Sequence, residues 1–443
     1  MNTLQRLRQQ FWFIPAVMCL AVAVLAEALV ALDESLGDVT VPDWLDAALY
    51  RVGESGSRDI LGAIASSSLA VAGTTFSITM AVLALTSSTY GPRLVRNFMA
   101  DRGNQAVLGV FVATFLYSLL VLRSVRAVGD PGDPDAEVFV PHLAVNAAVV
   151  LAVVNVAVLI YFIHHISDSI QISTIARRVR VDLHATVERL YPEHLGHDAR
   201  SVDRDVRLPD RLEEDGAEVA AGRGGYVTYV REDALMRAAS SHDVLLALQV
   251  QPGRYVLEDT VVALVHPPEH MDDDLAEEVR SAVVVSDERS PHQDVEFGAQ
   301  QLTELAVRAL SPGTNDPYTA INALDDLSSG LALLAGRRTP SAGRFDDEGV
   351  LRVHAPRVDA VVLASGVLDN LRWYASASPA VMDAALTLVR RVGRHTEDRA
   401  LRARLLTQVG LLTEAFERAG HQAHDVETYR ARAAEVTGDL TRT

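Results

Sequence analysis

The stretch 76–122 reads FSITMAVLALTSSTYGPRLVRNFMADRGNQAVLGVFVATFLYSLLVL. It contains most of one apolar segment, a short loop with three arginines, and a second apolar segment. Long apolar runs joined by a short basic loop are typical of a polytopic membrane protein. The loop also predicts the orientation, because basic loops stay in the cytoplasm. Its arginines are Arg93, Arg96 and Arg102.

Outward from this stretch, the chain has apolar segments long enough to span about 30 Å of hydrocarbon at about 1.5 Å per residue. We place four of them, at residues 11–32, 60–88, 104–122 and 141–166. The first follows Arg6 and Arg8, and its apolar run is too long for a typical signal peptide, so an uncleaved anchor is predicted. The loops 33–59 and 123–140 are then outside. We expect a multi-pass protein of the inner (plasma) membrane with both termini in the cytosol.

Composition excludes several classes of function. The 443 residues carry a formal net charge of -18, which argues against a nucleic-acid partner. All 40 basic residues are arginine, so a P-loop lysine, a Schiff-base lysine and a lipoyl carrier lysine are excluded. Cys19 is the single cysteine, which rules out an intramolecular disulfide and a cysteine zinc site. No metal and no cofactor are expected.

The predicted fold is a membrane α-helical bundle followed by a cytosolic α+β domain with a helical C-terminal half. Short β-type runs around Pro252 and Gly253 predict a small β-barrel or sandwich, similar in spacing to the lipoyl type but structural in role. We divide the chain into a four-helix transmembrane domain, an amphipathic helix with a polar linker, a small β module and a mainly helical cytosolic domain. Their bounds are 1–166, 167–216, 217–268 and 269–443.

Several separate motifs agree in order with one bacterial family. Besides the opening stretch they are YFIHHISDSIQIS (161–173), QPGRYV (251–256) and RALSPGTNDPYTAINALDDL (308–327). With these the chain resembles the predicted membrane protein family catalogued as domain of unknown function 2254. The resemblance implies an integral membrane protein with a four-helix N-terminal part and a cytosolic C-terminal part. It implies no reaction.

The second apolar segment carries a stripe of hydroxyl side chains. At about 100° per residue the members fall close to one line along a helix. They are Ser68, Thr75, Thr79 and Thr86. Such a stripe is suited to lining a water-filled pore in a homo-oligomer. The alternative is that small and hydroxyl residues allow close helix packing and bond across the seam.

Two further polar residues lie within the apolar segments. Glu27 is the only acid inside a predicted span, which makes it a candidate for selectivity or proton handling. It also lies near the outer end, where it could reach the interface. Asn155, in the middle of the fourth segment, is predicted to form an interhelical hydrogen bond rather than to bind a ligand.

Polar residues also gather at the predicted cytoplasmic ends. His164, His165 and Asp168 are candidates for a gate or half of a metal site, or for an ordinary interfacial ring pair. Arg93 and Arg96 fix the topology, and in an oligomer they would form a positive mouth.

The segment SPGTNDPYTA (311–320) links two predicted helices. Asp316 is predicted as an N-cap and Pro317 as the first helical residue. The clustering of Asn315, Asp316 and Tyr318 suggests a contact with a small ligand, a cation or another subunit. A rigid turn is the alternative.

Catalytic signatures are absent from the sequence. It has no G-x-S-x-G, no H-E-x-x-H and no Walker A motif, so an enzyme is not expected. The sequence favours a homo-oligomeric, pore-type ion channel with a cytosolic gating or assembly domain, which has the lipid bilayer and inorganic ions as partners. The alternative is a non-conducting membrane regulatory or scaffold protein whose cytosolic domain binds a ligand or a protein.

Overall fold

A computed structural model describes residues 11–36, 53–90, 102–126, 139–169, 171–191 and 206–442. The chain divides into two compact units, Met1–Thr174 and Ile175–Thr443, called here the N-terminal unit and the C-terminal unit.

The described residues of the N-terminal unit form four long apolar helices, each long and apolar enough to cross a membrane. They are α1 (Phe13–Leu36), α2 (Glu54–Tyr90), α3 (Arg102–Ser124) and α4 (His142–Ser169). The prediction of four apolar spanning segments is confirmed at this level. In α3 half of the apolar window is buried, against 22% or less in the other three helices, so α3 is the central helix. It packs against α1, α2 and α4.

Small residues let these helices approach closely. One core cluster includes Ala26, Ala144 and Ala148 around the fully buried ring of Tyr117. A second cluster includes Ala72 and surrounds Phe111. Large apolar side chains such as Leu20 and Val153 are exposed on the outside of the unit, which suits contact with lipid.

The C-terminal unit begins with helices and strands that alternate along the chain. Its first elements are α5 (Ile172–Leu190), α6 (Leu212–Asp215), β1 (Ala217–Ala220), β2 (Gly225–Val230), α7 (Glu232–Ser241), β3 (Leu245–Leu248), β4 (Tyr255–Val256), β5 (Val261–His266), α8 (Asp273–Ala282) and β6 (Val283–Ser286). The remaining elements are α9 (Val295–Ala309), α10 (Pro317–Ala335), β7 (Gly343–Phe345), β8 (Leu351–His354), α11 (Ala360–Ala375), α12 (Pro379–His395), α13 (Arg399–Arg418) and α14 (Ala423–Arg442).

The strands form two small sheets. One has five strands in the order β1-β5-β3-β8-β7, and the other has three in the order β4-β2-β6. Neither sheet closes on itself within the described residues, so the prediction of a β-barrel is wrong. Strands from beyond residue 268 complete both sheets, with Leu246 of β3 paired to Val353 of β8 in a parallel register. A local pattern of β-type residues cannot reveal partners that lie so far along the chain.

Candidate functional site

The hydroxyl stripe of α2 faces the interior of its own helix bundle. Ser68, Thr75 and Thr79 are 3%, 4% and 5% exposed. Asn155 of α4 donates from Nδ2 to Ser68 Oγ over 2.9 Å and accepts from Thr114 Oγ1 of α3 over 3.1 Å. This buried polar cluster joins α2, α3 and α4. The prediction that Asn155 forms an interhelical hydrogen bond is confirmed.

The lower part of the stripe bonds to its own helix. Thr75 Oγ1 donates to the carbonyl of Ala72 over 2.9 Å, and Thr79 Oγ1 donates to that of Thr75 over 2.7 Å. Such bonds satisfy the hydroxyl hydrogens without a second helix. The side chain of Thr86 lies outside the described residues.

Glu27 lies in an ion pair with Arg123 of α3, over 3.0 Å, and both side chains are more than 60% exposed. A neighbouring acid, Asp33, is more deeply involved in the fold. Its two carboxylate oxygens accept the backbone N–H groups of Leu143 and Ala144, each over 3.1 Å. Both N–H groups belong to the first turn of α4, where the helix itself offers no acceptor. The residue before α4 is a proline, whose side chain cannot accept a hydrogen bond, so Asp33 caps the helix instead. Sequence reasoning missed Asp33, whose only signal was its place just beyond an apolar run.

The histidines of α4 do not form a metal site with other described side chains. His164 is exposed, and His165 stacks on Tyr161 at 5.3 Å between ring centroids. No group of three or more potential metal ligands occurs among the residues described. The side chain of Asp168, and all of Arg93 and Arg96, lie outside the described part of the chain.

The turn before α10 begins as predicted. Asp316 caps the helix by accepting the backbone N–H of Thr319 over 3.0 Å, and Pro317 is the first helical residue. The hydrogen bond from the Thr319 hydroxyl, followed by that from its backbone, lowers the pKa of Asp316. Asn315 has φ 45°, in the left-handed region that asparagine tolerates. Tyr318 is 78% exposed, so its ring is available for a contact.

A second feature of the C-terminal unit is the groove that receives α5. Leu183 of α5 packs against Gly298 of α9 and Gly330 of α10, and a Cβ at Gly330 would overlap it. Arg180 pairs with Asp326 of α10 over 3.2 Å. The sequence predicts that α5 is amphipathic but does not show its groove. The sequence offers one sign of this groove, which is a glycine inside each of the two helices that form it, Gly298 in α9 and Gly330 in α10.

Further polar contacts anchor the C-terminal half of α5. Thr186 Oγ1 donates to the carbonyl of Pro291 over 2.7 Å, and the Tyr191 hydroxyl donates to that of Val358 over 2.6 Å. In the sequence, α5 starts three residues after α4 ends.

The QPG turn (251–253) covers a buried ion pair. Arg289 makes two hydrogen bonds to Asp294, over 2.8 and 2.9 Å, and Asp294 is 2% exposed. A Cβ on Gly253 would lie 2.7 Å from Cγ of Asp294, and the glycine has φ 94°. Only glycine fits there, which gives the QPGRYV motif a structural role.

Comparison with known proteins places the chain in a family. A family model described as predicted membrane protein (DUF2254) matches residues 8–391. The chain belongs to this family. An uncharacterized protein of Mycobacterium bovis is 32% identical over 404 residues, which cover 90% of this chain and 75% of that protein. An uncharacterized protein of Mycobacterium tuberculosis matches with the same identity and coverage. No solved structure matches the chain.

The DUF2254 match ends inside α12, so α13 and α14 lie beyond it. They complete the helical half, where the rings of Phe416 and Tyr429 stack at 4.2 Å. The family region therefore contains all four apolar helices, the groove for α5 and the Asp294 ion pair.

We expect His184 to make the groove of this DUF2254 protein sensitive to acid. Its Nε2 lies 3.0 Å from Ser329 Oγ of α10. Burial lowers the pKa of His184, and the nearby Arg180 lowers it further, whereas Glu188 and Asp326 act in the opposite direction. The folded state therefore binds a proton at His184 less readily than the unfolded chain does, and stability falls as pH drops below about 6.5.

We expect His184→Asn to reduce the loss of stability between pH 7.5 and pH 5.5. The measurement is the urea midpoint of the full chain in detergent at both pH values. Burial also lowers the pKa of His292 and His354, so part of the acid sensitivity should remain. The exposed His424, changed to asparagine, is the control. An unchanged pH dependence in His184→Asn would contradict the assignment.

Proposed function

We propose that this protein is a non-conducting membrane regulatory or scaffold protein whose C-terminal unit lies in the cytosol and binds a ligand or a protein. One observation carries the proposal. The hydroxyl stripe of α2 is buried inside its own subunit, where Ser68 is bonded to Asn155. A pore lined by this stripe in a homo-oligomer would need it at a subunit surface instead. The burial therefore favours a packing role.

The attachment of α5 supports a regulatory role. The contacts of Leu183, Thr186 and Tyr191 hold α5 to the C-terminal core. Two residues separate the end of α4 from the start of α5. A ligand that shifts α9 or α10 would act on α5. The exposed Tyr318, beside Asn315 and Asp316, is the candidate ligand or subunit contact. No enzymatic step is part of this proposal.

The orientation is part of the same proposal. Arginines that precede the first apolar helix, together with Arg93, Arg96 and Arg102, favour a cytosolic N-terminus and a cytosolic C-terminal unit in the plasma membrane. The ion channel that the sequence suggests, and its homo-oligomeric state, stay predictions that the next experiment addresses.

Ser68→Cys, made in a Cys19→Ala background, tests whether water reaches the stripe. We expect its reaction with a membrane-impermeant, charged thiol reagent in proteoliposomes to be at least 100-fold slower than that of Ser240→Cys. Both are serine-to-cysteine changes, but Ser240 is exposed on α7 whereas Ser68 is buried near mid-helix. The same proteoliposomes, fused to a planar bilayer in asymmetric salt, should carry no discrete currents.

The two readouts separate the two functions. Labelling of Ser68→Cys at a rate near that of Ser240→Cys, together with currents that the label blocks, would establish a conduction path along α2 and overturn the proposal. Slow labelling without currents would support it.

A further inference from the structure

A small recess lies where α3 begins, at one end of the N-terminal unit. Asn104, the third residue of α3, lines it together with Thr75 and Thr79 of α2. Three aromatic rings also line it, those of Phe11, Phe76 and Phe162. Its enclosed space is only about as large as one water molecule, and the ~220 Å³ of empty space around it includes open solvent.

Asn104 is a buried amide that bonds to none of the described side chains or backbone groups. It is 4% exposed, and within the described part of the chain neither its Nδ2 nor its Oδ1 has a hydrogen-bond partner. Polar groups without a hydrogen-bond partner are unfavourable in a protein interior, and more so within the hydrocarbon of a bilayer, where water is absent. The amide presents donors and an acceptor side by side. It therefore fits a group that both donates and accepts, as an alcohol hydroxyl does.

The neighbouring hydroxyls add acceptors to this amide. Thr75 and Thr79 give their hydrogens to backbone carbonyls of α2, which leaves oxygen lone pairs for a ligand. None of the described residues that line the recess carries a charge. The recess is thus suited to a neutral polar group rather than to an ion.

One residue that lines the recess also lies on the surface that we expect to face lipid. Phe76 is part of the lining and is 44% exposed. Leu69 lies seven residues earlier, on the same face of α2, and is 49% exposed. A group that enters past Phe76 therefore comes from the lipid side. A water molecule would fill the enclosed part, whereas a larger ligand would also contact the ring of Phe76.

We propose that this recess binds an alcohol hydroxyl of a lipid headgroup of the glycerol type, as in phosphatidylglycerol. The hydroxyl accepts a hydrogen bond from Asn104 Nδ2 and donates its single hydrogen to one threonine oxygen, and the headgroup carbons lie against the phenylalanine rings. Arg102, exposed at the first position of α3, offers a cation for the lipid phosphate. This lipid site does not depend on whether the protein conducts ions.

The test compares lipids that separate the hydroxyl from the charge. The full-length protein in detergent is titrated with phosphatidylglycerol, phosphatidic acid or phosphatidylcholine, and bound lipid is counted by native mass spectrometry. We expect one site that binds phosphatidylglycerol at least tenfold more tightly than either other lipid. Asn104→Leu and Thr79→Val should remove this preference.

The control is Asn146→Leu. Asn146 lies near the start of α4, far along the helix from Phe162, which lines the recess, so its loss should leave the preference intact. If Asn104→Leu fails to fold, the nearly isosteric Thr79→Val decides. Equal binding of phosphatidylglycerol and phosphatidic acid would mean recognition of charge alone. Absence of any preference in the unaltered protein would mean that the recess holds only water. Either result would overturn the proposal.

Discussion

Replacing Asp294 by alanine is expected to lower the free energy of unfolding of the C-terminal unit by about 3–5 kcal/mol, because it leaves a buried guanidinium without its counter-ion. Arg289 is 15% exposed and makes two hydrogen bonds to Asp294. Asp294 also caps α9 by accepting the N–H of Phe297 over 3.0 Å. The measurement is hydrogen exchange of peptides from α9 in the full-length protein, converted to opening free energies.

Asp316→Ala is the matched control. Asp316 is also an aspartate N-cap and accepts two hydrogen bonds from Thr319, but within the described part of the chain it pairs with no buried arginine. Loss of a cap alone costs about 1 kcal/mol. A second substitution, Arg289→Met, should recover part of the stability lost in Asp294→Ala, since it removes the unpaired charge. Equal effects of the two aspartate substitutions would show that the ion pair contributes nothing beyond the cap.

Features that depend only on residues close together in the chain could be predicted from the sequence. The four apolar helices follow from the length of their apolar runs, and the start of α10 follows from Asp316 and Pro317 in order. Both signals arise within a few turns of one helix. The sheets could not be predicted in the same way, because Leu246 pairs with Val353 more than 100 residues away.

The candidate site shows the same limit. Helical periodicity correctly places Ser68, Thr75 and Thr79 on one face of α2, but it does not say what that face meets. The partner, Asn155, lies on a helix whose packing depends on the whole bundle. Asn104 carried no sequence signal, because an asparagine at a helix start is ordinary. Only its burial without a partner among the described residues makes it notable.

The groove for α5 gives the second large effect. Gly330→Val is expected to destabilise the packing of α5 by about 1–3 kcal/mol or more, because the new side chain overlaps Leu183 in a closely packed interior. Hydrogen exchange of residues 175–190 in the full-length protein measures the change. Gly410→Val in α13 is the control, since a Cβ there meets nothing within 4 Å. Both substitutions replace a helical glycine by valine, so the change in helix propensity is the same, but only Gly330→Val creates the overlap with Leu183.

A second substitution tests the physical reason. Leu183→Ala alone should also destabilise α5, by about 2–5 kcal/mol for a buried leucine. Combined with Gly330→Val, it makes room for the valine, so the double variant should be more stable than the sum of the two single effects predicts. Additive effects would mean that Leu183 and Gly330 do not share one space. Coupling would show that the groove selects α5 by shape.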